Sequence, residues 1–105
     1  MPKACRGEIW MVDLGMAAKN RPAVVLSVEY QDHERAVVTY VRRTTSVRQT
    51  RFEVPHRAPG FDPGAFDAQG IGGVPEVRLV RRLGGVPPST LAEIERAVKA
   101  WLALP

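Results

Sequence analysis

One stretch of this sequence carries a clear helical repeat, and it lies near the C-terminal end. Leu91, Ile94, Val98, Trp101 and Leu102 recur at intervals of three to four residues, the period of a single helix face. The first half of the chain is patterned differently. Glu8–Leu14, Pro22–Val28 and Ala36–Val41 are short runs rich in apolar and β-branched residues, separated by polar or glycine-containing stretches. Such runs read as strands. Several strands and one terminal helix leave few architectures open, because the sheet must bury a face against itself or against the helix. The expected fold is mainly β with a C-terminal helix: a small antiparallel barrel or curled sheet in a single domain, residues 1–105.

In detail, the first strand ends at Gly15 and a loop, Gly15–Asn20, follows. Pro22 opens the second strand, a position that proline tolerates. The polar stretch Glu29–Glu34 is a hairpin connection. After Val41 comes an Arg/Thr-rich turn, then Arg51–Val54 as a short strand that stops at Pro55. Residues 55–75 hold four prolines and five glycines, which predicts irregular loops and short strands. Glu76–Val80 alternates polar and apolar as a last strand. Gly84-Gly85 and Pro87-Pro88 break the chain before a helix from about Thr90 to Leu104. Thr90 with Glu93 fits a capping box, with Ser89 the rival cap.

The formal net charge is +4, but it is unevenly placed. Arg42, Arg43, Arg48 and Arg51 follow one another with no acidic residue between them, a pattern that suits phosphate or an acidic partner. A solvated basic surface is the plainer alternative. No apolar run is long enough to span a membrane, and Met1–Arg6 offers no apolar core for a signal peptide. Cys5 is the lone cysteine, so a reducing cytoplasm is the expected compartment. Cys5, His33 and His56 are too few for a structural zinc site, and neither metal nor cofactor is expected. Gly70-Ile71-Gly72-Gly73 lacks the lysine of a phosphate-binding loop and reads as a turn or bulge.

What remains is arginine, threonine, histidine and a few carboxylates. That set suits RNA cleavage in which the substrate's own 2′-hydroxyl attacks the neighbouring phosphate. The protein then has only to align the phosphate and stabilise its growing charge. Arg21, directly before Pro22, stands at a rigid strand end; it is either a surface arginine or a phosphate ligand. Thr44, Thr45 and Ser46 form a hydroxyl cluster among arginines, suited either to turn formation or to phosphate. His33 and His56 lie in polar or proline-bounded connections, where an exposed imidazole is expected. Trp10, Tyr40 and Phe52 serve either the core or base stacking.

Together these segments resemble the MazF/PemK toxins over nearly the whole chain. Arg6-Gly7-Glu8-Ile9-Trp10-Met11-Val12-Asp13 is similar to the family's opening strand, and Arg21-Pro22-Ala23-Val24-Val25-Leu26-Ser27 to its second. Val41-Arg42-Arg43-Thr44-Thr45-Ser46 sits where members have an apolar run and then Thr-Thr or Thr-Ser. Gln69-Gly70-Ile71, Val74-Pro75 and Arg82-Leu83-Gly84 resemble the segment before the final helix. The resemblance implies an SH3-like barrel of the MazF/CcdB type and a homodimer with its RNA groove at the interface. It also implies the toxin component of a type II toxin–antitoxin system, a metal-independent, sequence-selective endoribonuclease (mRNA interferase). Carried over, the catalytic residues are Arg21 and Thr44. The RNA-binding set is Lys19, Arg42, Arg43, Thr45, Ser46, Arg48, Arg51 and Gln69. The implied partners are single-stranded RNA and a cognate antitoxin with an acidic, disordered tail.

Two departures from the family pattern stand out. The Gly15–Asn20 loop is short and lacks an acidic residue. Ala68 occupies the place where many members carry Asp before the glutamine, with Asp67 one residue earlier and therefore on the opposite strand face. An Arg–Asp acid–base pair does not transfer. Two other readings remain: a CcdB-like gyrase-poisoning toxin on the same fold, which would need neither Arg21 nor Thr44, and a non-catalytic RNA-binding module.

Overall fold

The computed structural model describes residues 3–15 and 19–105. Six strands, β1 (Glu8–Asp13), β2 (Asn20–Val25), β3 (Val37–Thr44), β4 (Glu53–His56), β5 (Gly64–Pro75) and β6 (Leu79–Gly85), form one sheet, and α1 (Pro88–Leu102) follows them. Every pairing is antiparallel. The order across the sheet is β4-β5-β3-β2-β1-β6. Among the described residues no ladder joins β4 to β6, so the sheet is open rather than a hydrogen-bonded barrel.

Period-two alternation sends side chains of the central strands to two separate cores. Ile9, Val24 and Val41 lie in register across β1, β2 and β3. They pack with Phe66, Ala68 and the buried stripe Ile94, Ala97 and Val98 of α1. On the other face Trp10, Val12, Ala23, Val25, Val38 and Leu79 form a second cluster. The helix rests on β4 and β5. Arg6, reaching from the N-terminal segment, ties Glu95 of α1 to the Leu26 carbonyl. Trp101 is partly exposed but meets Phe52 edge to face at 5.3 Å.

Several expectations are corrected. Residues 64–75 are not loops but the longest strand, β5, which pairs with both β3 and β4. Its glycines admit neighbouring side chains. A Cβ on Gly72 would lie 2.6 Å from the Tyr40 hydroxyl, and one on Gly70 3.2 Å from Cβ of Arg42. Between Ile71 and Asp67 the register against β3 shifts, and residues 68–70 bulge out of the ladder. Glu76–Arg78 is a 3₁₀ turn rather than a strand, and Gly84 and Gly85 belong to β6. The expected capping box does not form: Pro87 is the N-cap and Pro88 the first helical residue, where its missing N–H is no loss. The second strand begins at Asn20 and ends at Val25, and the third runs on to Thr44. Of the Gly15–Asn20 loop, residues 16–18 lie outside the described residues.

Candidate active site

β3 carries the centre of the site. Because it continues to Thr44, the two arginines after Val41 are strand residues on opposite faces rather than turn residues. Arg42 is exposed, and Arg43 shares the inward face with Val41 and is buried. Ala23 of β2 pairs with Arg42; continued by two residues, that register puts Arg21 opposite Thr44. The two side chains do converge. A pocket of about 350 Å³ is lined by Arg21, Pro22, Arg42, Arg43, Thr44, Thr45 and Ser46. Pro22 fixes the backbone dihedral next to Arg21, and Arg21 itself is exposed.

The hydroxyls are arranged by a local turn. Thr44 Oγ1 accepts the Ser46 N–H at 3.0 Å, a side chain-to-backbone bond typical of threonine. Beyond it, the Glu53 carboxylate accepts the N–H groups of Arg48 (3.0 Å) and Thr50 (2.9 Å). A single half-buried carboxylate therefore shapes the loop between β3 and β4. The pocket lining holds two exposed cations and three hydroxyls but no carboxylate or imidazole. Chemically it can bind a phosphate and stabilise charge; it supplies no general base.

Arg43 is placed differently from the expected RNA ligand. Its Nε donates to His56 Nδ1 at 2.9 Å, and its Nη2 donates to the carbonyls of His56 (3.0 Å) and Asp62. Its guanidinium lies over the Phe61 ring, 5.0 Å from the centroid. Burial lowers its pKa, opposed by the charge of Asp62. His56 is likewise buried rather than exposed, between Phe61 and Phe66. Strand parity carried the signal for both: Val41 and Arg43, like Val54 and His56, are two residues apart on one face.

The remaining candidates do not reach the pocket. Arg48 and Lys19 are exposed elsewhere, Lys19 at a positive φ of 59°. Arg51 stacks over Phe52 at 4.6 Å. Gln69 is exposed on the β5 bulge, where Asp67 Oδ1 accepts its backbone N–H at 3.0 Å. Ala68 is buried in the core, so the usual Asp position of the family faces inward here. Trp10 and Phe52 are buried, and Tyr40 is half-buried with its ring against Gly72. Among the described residues no three His, Cys, Asp or Glu side chains gather as metal ligands, and no helix is long and apolar enough to cross a membrane.

Residues 5–102 match the family model described as PemK-like, MazF-like toxin of type II toxin-antitoxin system. The chain belongs to this family. Solved structures agree with the PemK/MazF assignment in fold. An endoribonuclease from a mycobacterial species is 28% identical, with a TM-score of 0.82 over 100% of this chain and 96% of that one. The toxin MazF-mt6 of Mycobacterium tuberculosis is 26% identical, with a TM-score of 0.81 over 93% of this chain and 98% of that one. The MazE-MazF structure from Deinococcus radiodurans, at 20% identity, shares the fold with a TM-score of 0.84 over 100% of both chains.

Two predictions follow from the site's supports. A Cβ on Gly64 would sit 2.5 Å from the Thr44 carbonyl oxygen, a backbone atom, and 2.9 Å from Arg43 Nη1. Gly64→Ala should therefore lower stability by about 1–3 kcal/mol, as overpacking does, read from the midpoint of urea unfolding.

The second concerns His56. Burial, and then the Arg43 charge, lower its pKa, so the folded protein keeps it neutral while the unfolded chain protonates near about pH 6.5. Below that value the unfolded state binds more protons, and stability rises with pH. The contribution of His56 is complete above about pH 6.5 and is lost as pH falls towards its lowered folded value. Thermal melts from about pH 7.5 to about pH 5 should show a falling Tm, and His56→Asn should flatten that slope.

Proposed function

We propose that this chain is the toxin of a type II toxin–antitoxin pair and acts as a metal-independent endoribonuclease on single-stranded RNA. The observation that carries the reading is the meeting of Arg21 and Thr44, from neighbouring strands, in one cationic, hydroxyl-lined pocket. Support comes also from the relatives at 28% identity, one named an endoribonuclease and one an endoribonuclease in complex with its cognate antitoxin.

In this reading the 2′-hydroxyl of the substrate attacks the adjacent phosphorus and the bond to the 5′-oxygen breaks. The products are a 2′,3′-cyclic phosphate and a 5′-hydroxyl. Arg21, offering a planar fork of donors, stabilises the extra negative charge of the phosphorane-like transition state. Thr44, with Thr45 and Ser46 beside it, orients a phosphate oxygen. Arg42 holds a neighbouring phosphate, and Lys19, Arg48, Arg51 and Gln69 meet the RNA further along. Unpaired RNA is the substrate class because its base edges are free to be read.

The working unit is a homodimer in the cytoplasm, with the groove completed at the subunit interface. An acidic, disordered antitoxin tail competes for the same basic surface. The experiment incubates the protein in EDTA with a long single-stranded RNA and maps the fragment ends. Fragments with 5′-hydroxyl and cyclic-phosphate ends give the mechanism and the cleavage sequence together. Intact RNA overturns the nuclease reading, and simultaneous binding of RNA and an acidic tail overturns the shared groove.

A further inference from the structure

We propose that Arg43 is a positioning residue for the pocket: its buried guanidinium, held by His56 and the Asp62 carbonyl, fixes the end of β3 from which Thr44 enters the site. The proposal rests on the nuclease reading only for its activity readout. Arg43 is 4% exposed, and taking a cation out of water is unfavourable unless its donors are satisfied. Here Nε and Nη2 donate to the ring and the carbonyl of His56 and to the carbonyl of Asp62. His56 is the last residue of β4, Asp62 lies in the connection from β4 to β5, and Phe61 beside it offers its ring face.

One side chain thus fastens β3 to the end of β4 and to the connection that leads into β5. A second observation points the same way. Gly64, the first residue of β5, leaves room for the Arg43 guanidinium and the Thr44 carbonyl together, where any Cβ would collide with both. Core packing alone gives no reason for an arginine here, since an apolar side chain at a buried site avoids the desolvation that a charge incurs. Placement of the next residue does. Thr44 follows directly, and its hydroxyl holds the turn to Ser46 at 3.0 Å, so the hydroxyl cluster hangs from the clamped residue. Arg21 stands on the neighbouring strand β2, paired with Val12 of β1 and outside the clamp. Loosening the clamp therefore changes the spacing between Thr44 and Arg21 while touching neither.

The test compares His56→Leu, which removes the acceptor for Arg43 Nε, with His56→Asn, whose Oδ1 can take the place of Nδ1. Wild type and both variants are assayed for RNA cleavage, and amide hydrogen exchange is followed over Thr44–Ser46 and residues 57–62. We expect His56→Leu to lower kcat about 10- to 100-fold, as misplacement of a reacting group does, with KM little changed and faster exchange in both segments. His56→Asn should recover most of the kcat and the protection, which a purely space-filling role for His56 would not predict. Should His56→Leu fail to fold, His56→Gln, with its acceptor displaced towards the Nε2 position, takes its place with the same expected effects. Wild-type kcat and exchange in the acceptor-free variant, or an Asn variant as impaired as it, overturns the clamp. If the wild type itself cuts no RNA, the nuclease reading fails, while the exchange pattern still decides the clamp.

Discussion

Arg21→Ala is expected to slow cleavage of single-stranded RNA by about 10²–10³-fold, the usual effect of losing one preorganised donor to transition-state charge. The side chain stands exposed at a strand end, so its removal opens no cavity, and stability should stay within about 0.5 kcal/mol of wild type. That separation makes the variant informative: an unchanged melting curve with a collapsed rate assigns the loss to chemistry. Because Arg21 lines the pocket with Arg42 and the three hydroxyls, RNA should still bind. The deficit should fall mainly on kcat, the pattern of an interaction made in the transition state. Arg21→Lys should recover only part of the rate, since a point charge does not reproduce the planar fork. Near-wild-type cleavage by a folded Arg21→Ala protein would remove Arg21 from the mechanism.

Phe66→Ala should have the largest effect on folding, a loss of about 3–5 kcal/mol. Phe66 is fully buried at the middle of the N-terminal half of β5, paired to Arg43 on one side and Val54 on the other. Its ring lies 4.8 Å from that of His56, and it joins the core that receives Ile94 and Val98 of α1. Truncation there removes contacts to three elements at once. Native domains are stable by only about 5–15 kcal/mol, so the variant should unfold at much lower urea concentration than wild type at the same protein concentration. A midpoint shifted by no more than that of a surface substitution would mean that the site collapses to fill the space.

The parts legible in the sequence were those whose pattern is local. β1, β2 and β3 declared themselves as short runs rich in apolar and β-branched residues, and the stripe through Ile94 and Val98 marked α1. β5 did not, because its glycines read locally as loop punctuation. Their reason is across the sheet, where the Tyr40 ring and the Arg42 side chain need the space. The helix start was missed for a related cause: Pro87 and Pro88 read as breakers, but proline suits the first helical turn. In the site, Arg21 and Thr44 were visible from their motifs. The different fates of Arg42 and Arg43 were not, since charge alone does not say which of two adjacent arginines faces inward. Extending the alternation of Val41 by one step would have separated them, had the strand been followed to Thr44.

The place of β6 beside β1 bears on how the protein is made. One edge of β1 stays open until Leu79–Gly85, far along the sequence, takes its place beside it. Contacts so distant in sequence must pay for loop closure before any pairing rewards it. The β1–β6 pairing is therefore expected to form slowly compared with docking of the local β2–β3 hairpin. In that interval β1 is paired with β2 on one side only, and its other edge is a template on which a foreign strand can pair before β6 does.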